Sequence, residues 1–290
     1  TGQKILVLFA HFDPHGRVDE YVEYYLQQLH AVGATIIFVS GSPELDPAST
    51  KRIASLCEAI YTRKTLALDF GSWHLAWALL KSKGWSLKNF DRFVLANDSV
   101  YGPLFDLREM FAEFNGADMY GALESCQFYP HLQSFFLCWD LNERTRRFLE
   151  HFWTSFRYIT DKEKLIMKYE IGISRQARQQ NLILKAYVSS DAAAQAARSA
   201  EDHRFASVFK QSEVNYSLYF WDGLIEKFHF PFLKTSLPRN NLFNDQKVEE
   251  VGNFITEHAQ YPYELIASNL RRFRLDAKDT AVPSKASSVK

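Results

Sequence analysis

The sequence predicts an α/β fold, in which a single Rossmann-type and mostly parallel sheet is flanked by helices and followed by a helical C-terminal elaboration. Two observations support this fold class. Over residues 4–96, four apolar segments of strand length alternate with helical patterns, and this alternation is typical of a parallel sheet with crossover helices. Beyond residue 117 the pattern changes to two strands and then mainly to helices.

The first half of the sheet is predicted from short apolar runs rich in β-branched residues, which are typical of buried strands. One helix between them has Val22, Leu26 and Leu29 on a single side and ends at Gly33, a residue type favoured after a helix. The predicted strands are 4–10, 35–40, 59–62 and 93–96, and the predicted helices are 18–32, 46–56 and 69–83.

The second half is predicted to be mostly helical, with an antiparallel sheet edge. The predicted strands are 118–123, 132–139 and 186–188, and the helices are 145–156, 162–180 in two pieces, 215–228 and 263–273. Residues 191–204 form either an exposed helix or a mobile segment. We expect residues 1–276 to be a single domain and residues 277–290, rich in Lys, Ser, Ala and Pro, to be a disordered tail.

Composition excludes several classes of function. The 290 residues include 34 basic and 34 acidic side chains, and this balance argues against nucleic-acid binding, which needs a basic face. No apolar run is long enough for a transmembrane helix, and the start of the sequence shows no secretory signal. Cys57, Cys126 and Cys138 include no close pair, so neither a disulfide framework nor a cysteine zinc site is indicated and a reducing cytoplasm is expected.

Asn97, Asp98 and Ser99 directly follow the predicted strand 93–96. A carboxylate, an amide and a hydroxyl therefore lie at the C-terminal tip of a buried strand, where open α/β sheets bind their ligands. The same residue types, followed by Gly102 and Pro103, also favour a plain turn. Both interpretations stay open on this segment alone.

Several short segments together resemble the rhamnan synthesis F family of bacterial polysaccharide glycosyltransferases. They occur in the order of the family between residue 4 and about residue 272. One departure is that Thr65 and Ala67 stand where the family usually carries Asn and Gly, which bears on donor or acceptor preference. The matching segments are 10–13 with 16–19, 39–40, Arg63 with 69–71, 97–103, 131–136, 152–153, 169–172, 231–234, and 261–262 with 265–266.

The resemblance implies a GT-A-like fold and transfer of a sugar from a nucleotide donor. It implies dTDP-rhamnose as the favoured donor and a growing, lipid-linked glycan as the acceptor, as in O-antigen and lipopolysaccharide assembly. The expected location is the cytoplasmic face of the plasma membrane, with peripheral membrane contact or other glycosyltransferase domains as further partners.

Donor binding requires contacts to the base, the ribose and the diphosphate. The loop from His11 to Arg17 suits the nucleotide because Gly16 allows close backbone approach and a helix start favours anions, with His11 or Arg17 adding positive charge. An ordinary polar loop with Gly16 at its turn is the alternative. The expected donor-binding residues are His11, Asp13, Arg17, Arg63, Asp69, Gly71, Asn97, Ser99, Gln133 and Lys234.

Asp69, Phe70 and Gly71 match the Asp-Phe-Gly motif of protein kinases, but no Gly-rich phosphate loop or His-Arg-Asp sequence accompanies them. Asp69 is instead expected to act as a helix N-cap, as a ligand of the donor, or as both.

Asp98 is the candidate for an acidic role in catalysis and metal binding. GT-A enzymes commonly use two carboxylates at this place, because Mg²⁺ and Mn²⁺ prefer hard oxygen ligands, whereas the strand tip here supplies one. A metal could bind Asp98, the diphosphate and water. Alternatively, Lys234, Arg63 or Arg239 could stabilise the leaving diphosphate without a metal.

His131 and Gln133 are predicted to share one face at the start of a strand, from which both could contact a sugar; His131 is a catalytic candidate. Glu170 is the candidate general base, since it lies in a helical segment and a carboxylate can accept the proton of the attacking hydroxyl. A simple exposed glutamate is the alternative.

A catalytically inactive GT-A-like module that binds nucleotide or glycan, or another nucleotide-dependent transferase, also fits the sequence.

Overall fold

A computed structural model describes residues 2–63, 67–199, 214–240 and 248–280, and a mixed sheet of eight strands lies at its centre. The strands in chain order are β1 Ile5–His11, β2 Ala34–Ser40, β3 Ala59–Thr62, β4 Arg92–Asn97, β5 Val100–Tyr101, β6 Met119–Ser125, β7 His131–Leu132, β8 Phe136–Asp140, β9 Leu184–Val188 and β10 Leu233–Lys234.

The main sheet has the strand order β3-β2-β1-β4-β8-β6-β7, and β9 pairs with β6. Strands β1 to β4 are parallel to one another, whereas β8 runs antiparallel between β4 and β6. These pairings confirm the predicted mostly parallel sheet with an antiparallel part. Because β1 to β4 are parallel, their carboxyl ends lie at one edge of the sheet. A separate two-stranded sheet joins β5 to β10.

Helices cover both faces of the sheet, as predicted. Their bounds are α1 Glu20–Ala31, α2 Pro47–Ile53, α3 Leu68–Ser82, α4 Leu107–Glu113, α5 Glu143–Thr154, α6 Lys162–Leu165, α7 Ile171–Gln179, α8 Ser190–Ser199, α9 Tyr216–Tyr219, α10 Trp221–Phe228, α11 Ser236–Asn240, α12 Val248–His258 and α13 Tyr263–Thr280. A 3₁₀ turn occupies Leu87–Asn89, and a π-helical turn occupies Ile166–Glu170 between α6 and α7.

The alternation of side chains along β1 divides the core into two layers. Val7 and Phe9 pack in the layer that contains Tyr25 of α1. Leu6 and Leu8 point to the other face and share a layer with Trp73 of α3. All six side chains are buried, and burial of apolar surface of this kind is the main favourable term in folding.

The structure differs from the sequence-based expectation where tertiary contacts outweigh local pattern. The predicted strand 132–139 is interrupted between β7 and β8, and the predicted helix 215–228 breaks at Phe220. The segment from Asp191 is helical through Ser199, with Ala193 buried, while residues 200–204 lie outside the described part. Helices α4 and α12 were not predicted.

The C-terminal helix α13 continues to Thr280, past the domain boundary predicted at residue 276. The rest of the predicted tail, residues 281–290, lies outside the described part of the chain. Among the helices that the structure describes, none has both the length and the apolar character required to cross a lipid bilayer.

Candidate active site

A cleft of about 480 Å³ opens at the carboxyl ends of β1 to β4, the edge at which open α/β sheets bind ligands. A wider depression of about 640 Å³ lies near the amino ends of β1 and β4, around Lys4 and Lys88, but it does not combine several acidic and basic groups. The cleft is lined by His11, Phe12, Gly41, Arg63, Leu68, Asp69, Phe70, Ser72, Asn97, Asp98, Ser99, Ser134, Phe135, Lys162, Leu165, Ile166, Glu170, Lys234, Thr235 and Arg239.

Asp98 lies in the bend that follows β4, and backbone contacts fix its position. Its own N–H donates to the carbonyl of Ala10, and its side chain accepts a hydrogen bond of 2.9 Å from the N–H of Phe12. The phenol of Tyr21 donates to the Asp98 carbonyl. These contacts join the tips of β1 and β4, and they leave the Asp98 side chain 14% exposed at the cleft.

Asp69 provides a second carboxylate in the same cleft. It lies in the first turn of α3, where Ala67 is the N-cap residue, so the predicted N-cap role of Asp69 is wrong. The side-chain amide of Asn97 donates to Asp69 at 2.8 Å. The other end of the Asn97 amide accepts from the N–H and hydroxyl of Ser99. Asn97 thus holds the polar tip of β4 together and ties it to α3.

Both carboxyl groups are less acidic than usual. Burial raises the pKa of Asp98 to about 7, against the hydrogen bond from Phe12. Burial, followed by the nearby charge of Asp98, raises the pKa of Asp69 to about 7 as well. Two carboxylates in a partly desolvated cleft disfavour each other's ionisation. They therefore form a place where a cation or a proton is favourable.

The two-stranded sheet and the helix that follows it bring two cationic side chains to the cleft. Lys234 lies opposite Val100 in the pairing of β10 with β5, and its ammonium group is 4.5 Å from the centre of the Phe135 ring. Burial lowers the pKa of Lys234, while Glu170 and Asp69 counteract part of that effect. Arg239 follows on α11 and also lines the cleft.

Glu170 enters the cleft from the junction of the π-helical turn and α7. The preceding Tyr169 is buried, packs against Phe70 with ring centres 5.7 Å apart, and bonds through its hydroxyl to the backbone of Arg157. The Glu170 carboxylate accepts a bond of 3.2 Å from the N–H of Ser134. A π-helical turn shifts side-chain positions within a helix and is frequent at functional sites, and here it places a carboxylate beside Lys234.

Arg63 is buried against the start of α3. Its guanidinium donates to the hydroxyl of Ser72 at 2.9 Å and to the carbonyl of Leu68. A side chain at Gly71 would come within about 3.0 Å of that guanidinium. Gly71 therefore allows Arg63 to reach its place in the cleft and is not itself among the lining residues.

Two residues of the loop after β1, His11 and Gly16, do not have the nucleotide-binding roles that were expected of them. Burial lowers the pKa of His11 to about 4, so its imidazole is neutral at neutral pH and supplies no positive charge. A Cβ atom at Gly16 would lie 1.8 Å from the carbonyl oxygen of Glu44. Gly16 is therefore needed for packing against that backbone, a role that neither sequence interpretation gave it.

The structure does not bring every predicted site residue to the cleft. Asp13 is buried behind it in an ion pair with Arg272, and Arg17 is exposed and bonds to Asp13 through its backbone N–H. His131 and Gln133 lie outside the lining because the chain turns after β7. There Nδ1 of His131 bonds with the carbonyl of Tyr129, and the Gln133 amide donates to Asn215.

Several lining residues were missed by the sequence interpretation, among them Phe12, Leu68 and Lys162. The Phe12 ring is 54% exposed and stands beside Gly41, and Leu68 is also exposed. An aromatic residue in the polar loop after a strand was a detectable signal for Phe12. Lys162 adds a cation from the start of α6, and nothing local distinguishes it from other surface lysines.

Comparisons with known proteins identify relatives of this chain. The profile of the family described as rhamnan synthesis protein F matches residues 36–289. No curated protein matches the chain.

Three solved structures match this chain at low sequence identity and low TM-score. One, from Desulfovibrio desulfuricans G20, is described as a nucleotide-diphospho-sugar transferase; identity is 14% and the TM-score is 0.39, over 79% of this chain and 99% of that chain. The mannosyltransferase PcManGT from Pyrobaculum calidifontis, in complex with GDP-Man and Mn²⁺, is 9% identical with a TM-score of 0.39, over 97% and 87% of the two chains. The galactosyltransferase LgtC, in complex with donor and acceptor sugar analogs, is 11% identical with a TM-score of 0.38, over 89% and 98%.

Proposed function

The chain belongs to the rhamnan synthesis protein F family, and on that premise we propose that it is a glycosyltransferase, which moves a sugar from a nucleotide donor to a growing bacterial cell-surface polysaccharide. One structural observation supports the proposal most strongly. Asp69, Asp98 and Glu170 converge with Lys234 and Arg239 in a single cleft at the carboxyl edge of the sheet. Transfer from a nucleoside diphosphate needs both a base and groups that stabilise the departing diphosphate.

The cleft has a polar and an apolar part, which suggests how the donor lies in it. Lys234 and Arg239 are the cations suited to the diphosphate, because preorganised positive groups stabilise charge that develops on a leaving group. The exposed ring of Phe12, beside Gly41, offers a planar apolar surface for the base. The ribose then lies between these two parts, and the donor sugar follows on the far side of the diphosphate.

Asp69 and Asp98 are the residues that would hold a divalent cation. Carboxylate oxygens are the ligands that Mg²⁺ and Mn²⁺ prefer, and the burial that raises the pKa of each group disfavours an uncompensated negative charge on it. Among the described residues, no group of three or more His, Cys, Asp or Glu side chains could hold a metal. A bound cation would have the two carboxylates as its protein ligands, and it would neutralise part of the charge of the leaving diphosphate.

Glu170 is proposed as the general base of an inverting reaction. Its carboxylate takes the proton of the acceptor hydroxyl while that oxygen attacks the anomeric carbon. The bond between that carbon and the diphosphate oxygen breaks, and the nucleoside diphosphate leaves with the electron pair. The Ser134 N–H holds Glu170 in place, and Lys234 lies close enough to interact electrostatically with it.

The donor sugar is proposed to be rhamnose, carried by dTDP, since the family is described by rhamnan synthesis. The acceptor is proposed to be a lipid-linked glycan of the O-antigen and lipopolysaccharide type, reached at the cytoplasmic face of the plasma membrane. The single carboxylate at the strand tip makes a catalytically inactive module possible. Asp69 supplies a second carboxylate in the cleft, which supports enzymatic activity instead.

Nucleotide-induced thermal stabilisation tests the proposal. We expect dTDP to raise the melting temperature, UDP and GDP to do so less, and Mn²⁺ to increase the effect. Incubation with dTDP-rhamnose should then release dTDP, and the product anomer should be opposite to that of the donor. The proposal would be overturned if no nucleoside diphosphate stabilised the protein, and stabilisation without turnover on any nucleotide sugar would leave the inactive module as the function.

A further inference from the structure

We propose that Arg272 is a positioning residue of the nucleotide cleft, acting from the last described helix through Asp13 and Asp19. The inference rests on the proposed function, because it concerns how the donor-binding walls are held. Arg272 lies on α13, far along the chain from the loop after β1. Its guanidinium nevertheless reaches the carboxylates at both ends of that loop.

The planar guanidinium of Arg272 contacts the carboxylates of Asp13 and Asp19 at the same time. One terminal nitrogen, Nη2, lies 2.6 Å from Asp13 Oδ2 and 2.5 Å from Asp19 Oδ2, and Nε donates to Asp19 Oδ1 at 2.8 Å. The Arg272 side chain is only 19% exposed, and that of Asp13 is 7% exposed. Charged hydrogen bonds with little access to water are stronger and more directional than surface pairs.

Asp13 transmits this contact to the cleft. Its Oδ1 accepts from the N–H groups of His15 and Arg17, at 2.9 and 3.0 Å, and so closes the loop on itself. Burial alone would raise the pKa of Asp13, but the Arg17 N–H and the Arg272 guanidinium hold it below its ordinary value. The loop that Asp13 organises includes Phe12, whose N–H fixes the Asp98 carboxylate.

A second wall of the cleft is held from the same helix. Asn269, one turn before Arg272, accepts from Nε and Nη2 of Arg239 at 3.1 and 2.8 Å. Its amide nitrogen donates to Asp19, and its oxygen also accepts from the Tyr101 hydroxyl. Helix α13 therefore connects the acidic and cationic sides of the cleft through buried polar contacts. Because such networks have few alternative arrangements, they fix the groups that they join.

Arg272→Met tests the inference. Isothermal titration calorimetry with dTDP should show affinity weakened by about 10- to 100-fold, by analogy with residues that orient the ligands of a metal. With dTDP-rhamnose, the KM for the donor should rise more than kcat falls. Arg272→Lys should restore only part of the affinity, because an ammonium group cannot span both carboxylates as the guanidinium fork does. In the double variant Arg272→Met with Asp13→Asn, the loss of binding free energy for dTDP should be smaller than the sum of the losses in the two single variants.

Arg271→Met is the matched control. Arg271 is the neighbouring residue on α13, but it is 62% exposed and pairs with the exposed Glu264, so dTDP affinity should remain unchanged. Hydrogen exchange supplies a readout that needs no ligand: backbone amides of residues 12–17 should exchange faster in Arg272→Met and not in Arg271→Met. If Arg272→Met unfolds, the same measurements are made on Arg272→Lys and Asp13→Asn instead.

The outcomes separate the inference from the proposed function. If the wild-type protein binds dTDP and Arg272→Met binds it within twofold of the wild type, the positioning role is wrong even where the melting temperature falls. Unchanged hydrogen exchange in residues 12–17 also rules it out. If the wild-type protein binds no nucleoside diphosphate, the proposed function fails, and the role of Arg272 in nucleotide binding fails with it.

Discussion

Asn97 donates its side-chain N–H to the carboxylate of Asp69 at 2.8 Å, across 28 residues of sequence. Asn97 ends β4 and Asp69 lies in the first turn of α3, so this bond joins two elements at the carboxyl edge of the sheet. It keeps Asp69 in the same cleft as Asp98. The site therefore has two carboxylates, although the strand tip itself carries one.

This pairing predicts that divalent cations act through both carboxylates. Asp98→Asn and Asp69→Asn should each remove most of the additional thermal stabilisation that Mn²⁺ gives to the dTDP complex, because each substitution removes an anionic oxygen ligand. Asp91→Asn is the control, since Asp91 is exposed and precedes β4 at its opposite end. Full retention of the Mn²⁺ effect in Asp98→Asn would exclude Asp98 as a ligand.

The same carboxylates predict how stability depends on pH. Their pKa values are about 7 in the folded protein and near 3.8 without the fold. Between these values the folded protein binds more protons than the unfolded chain, so the free energy of unfolding decreases as pH rises from about 4 to 7 and levels off above. The melting temperature should fall over the same pH range. Asp98→Asn should make that fall smaller, whereas Asp91→Asn should leave it unchanged. Parallel curves for wild type and Asp98→Asn would contradict the assignment.

The sheet could be predicted because its strands are short, apolar and separated by helical patterns. Strand β1 differs from the predicted 4–10 by one residue at each end. The cleft edge followed from the same pattern, since parallel strands end together and the polar residues after them meet. That argument concerns Asp98 alone. Asp69 entered the expected site through the family resemblance, and both side chains line the same cleft.

The remaining parts depend on contacts between distant segments. Lys234 reaches the cleft through the pairing of β10 with β5, and a two-residue strand has no periodicity to detect. The continuous apolar run after His131 predicted one strand, but the chain turns between β7 and β8, which removes His131 from the cleft. Arg272 bonds to Asp13 across 259 residues, and no local pattern marks such a contact.

Glu170→Gln should separate catalysis from binding. The amide keeps the size of the side chain but cannot accept the acceptor's proton, so kcat should fall by about 10²- to 10⁴-fold, while dTDP affinity stays within about twofold. Donor turnover and calorimetry provide the two values. Glu163→Gln is the control because Glu163 is exposed on α6. Wild-type turnover in Glu170→Gln would exclude Glu170 as the base.

Lys234→Met should weaken binding of dTDP by about tenfold or more and lower kcat for sugar transfer. The substitution removes a half-buried cation next to the proposed diphosphate position, and a charge-assisted hydrogen bond contributes about 1.5–3 kcal/mol. Thymidine, which lacks phosphates, should bind both proteins equally. Lys51→Met, at an exposed position on α2, should leave all these values unchanged. Equal loss of thymidine and dTDP affinity would mean that Lys234 supports the base site instead.

Gly16→Ala should destabilise the protein strongly, and Gly33→Ala should do so mildly. Both glycines have positive φ, +69° and +82°, but a Cβ atom at Gly16 would lie 1.8 Å from the Glu44 carbonyl oxygen, whereas nothing lies within 4 Å of one at Gly33. Gly33→Ala therefore carries only the left-handed strain of about 1–2 kcal/mol, and Gly16→Ala adds a collision with backbone that must move. Chemical denaturation at 25 °C measures the difference. Equal loss in the two variants would show that the loop after β1 shifts freely around residue 16, contrary to the packing described.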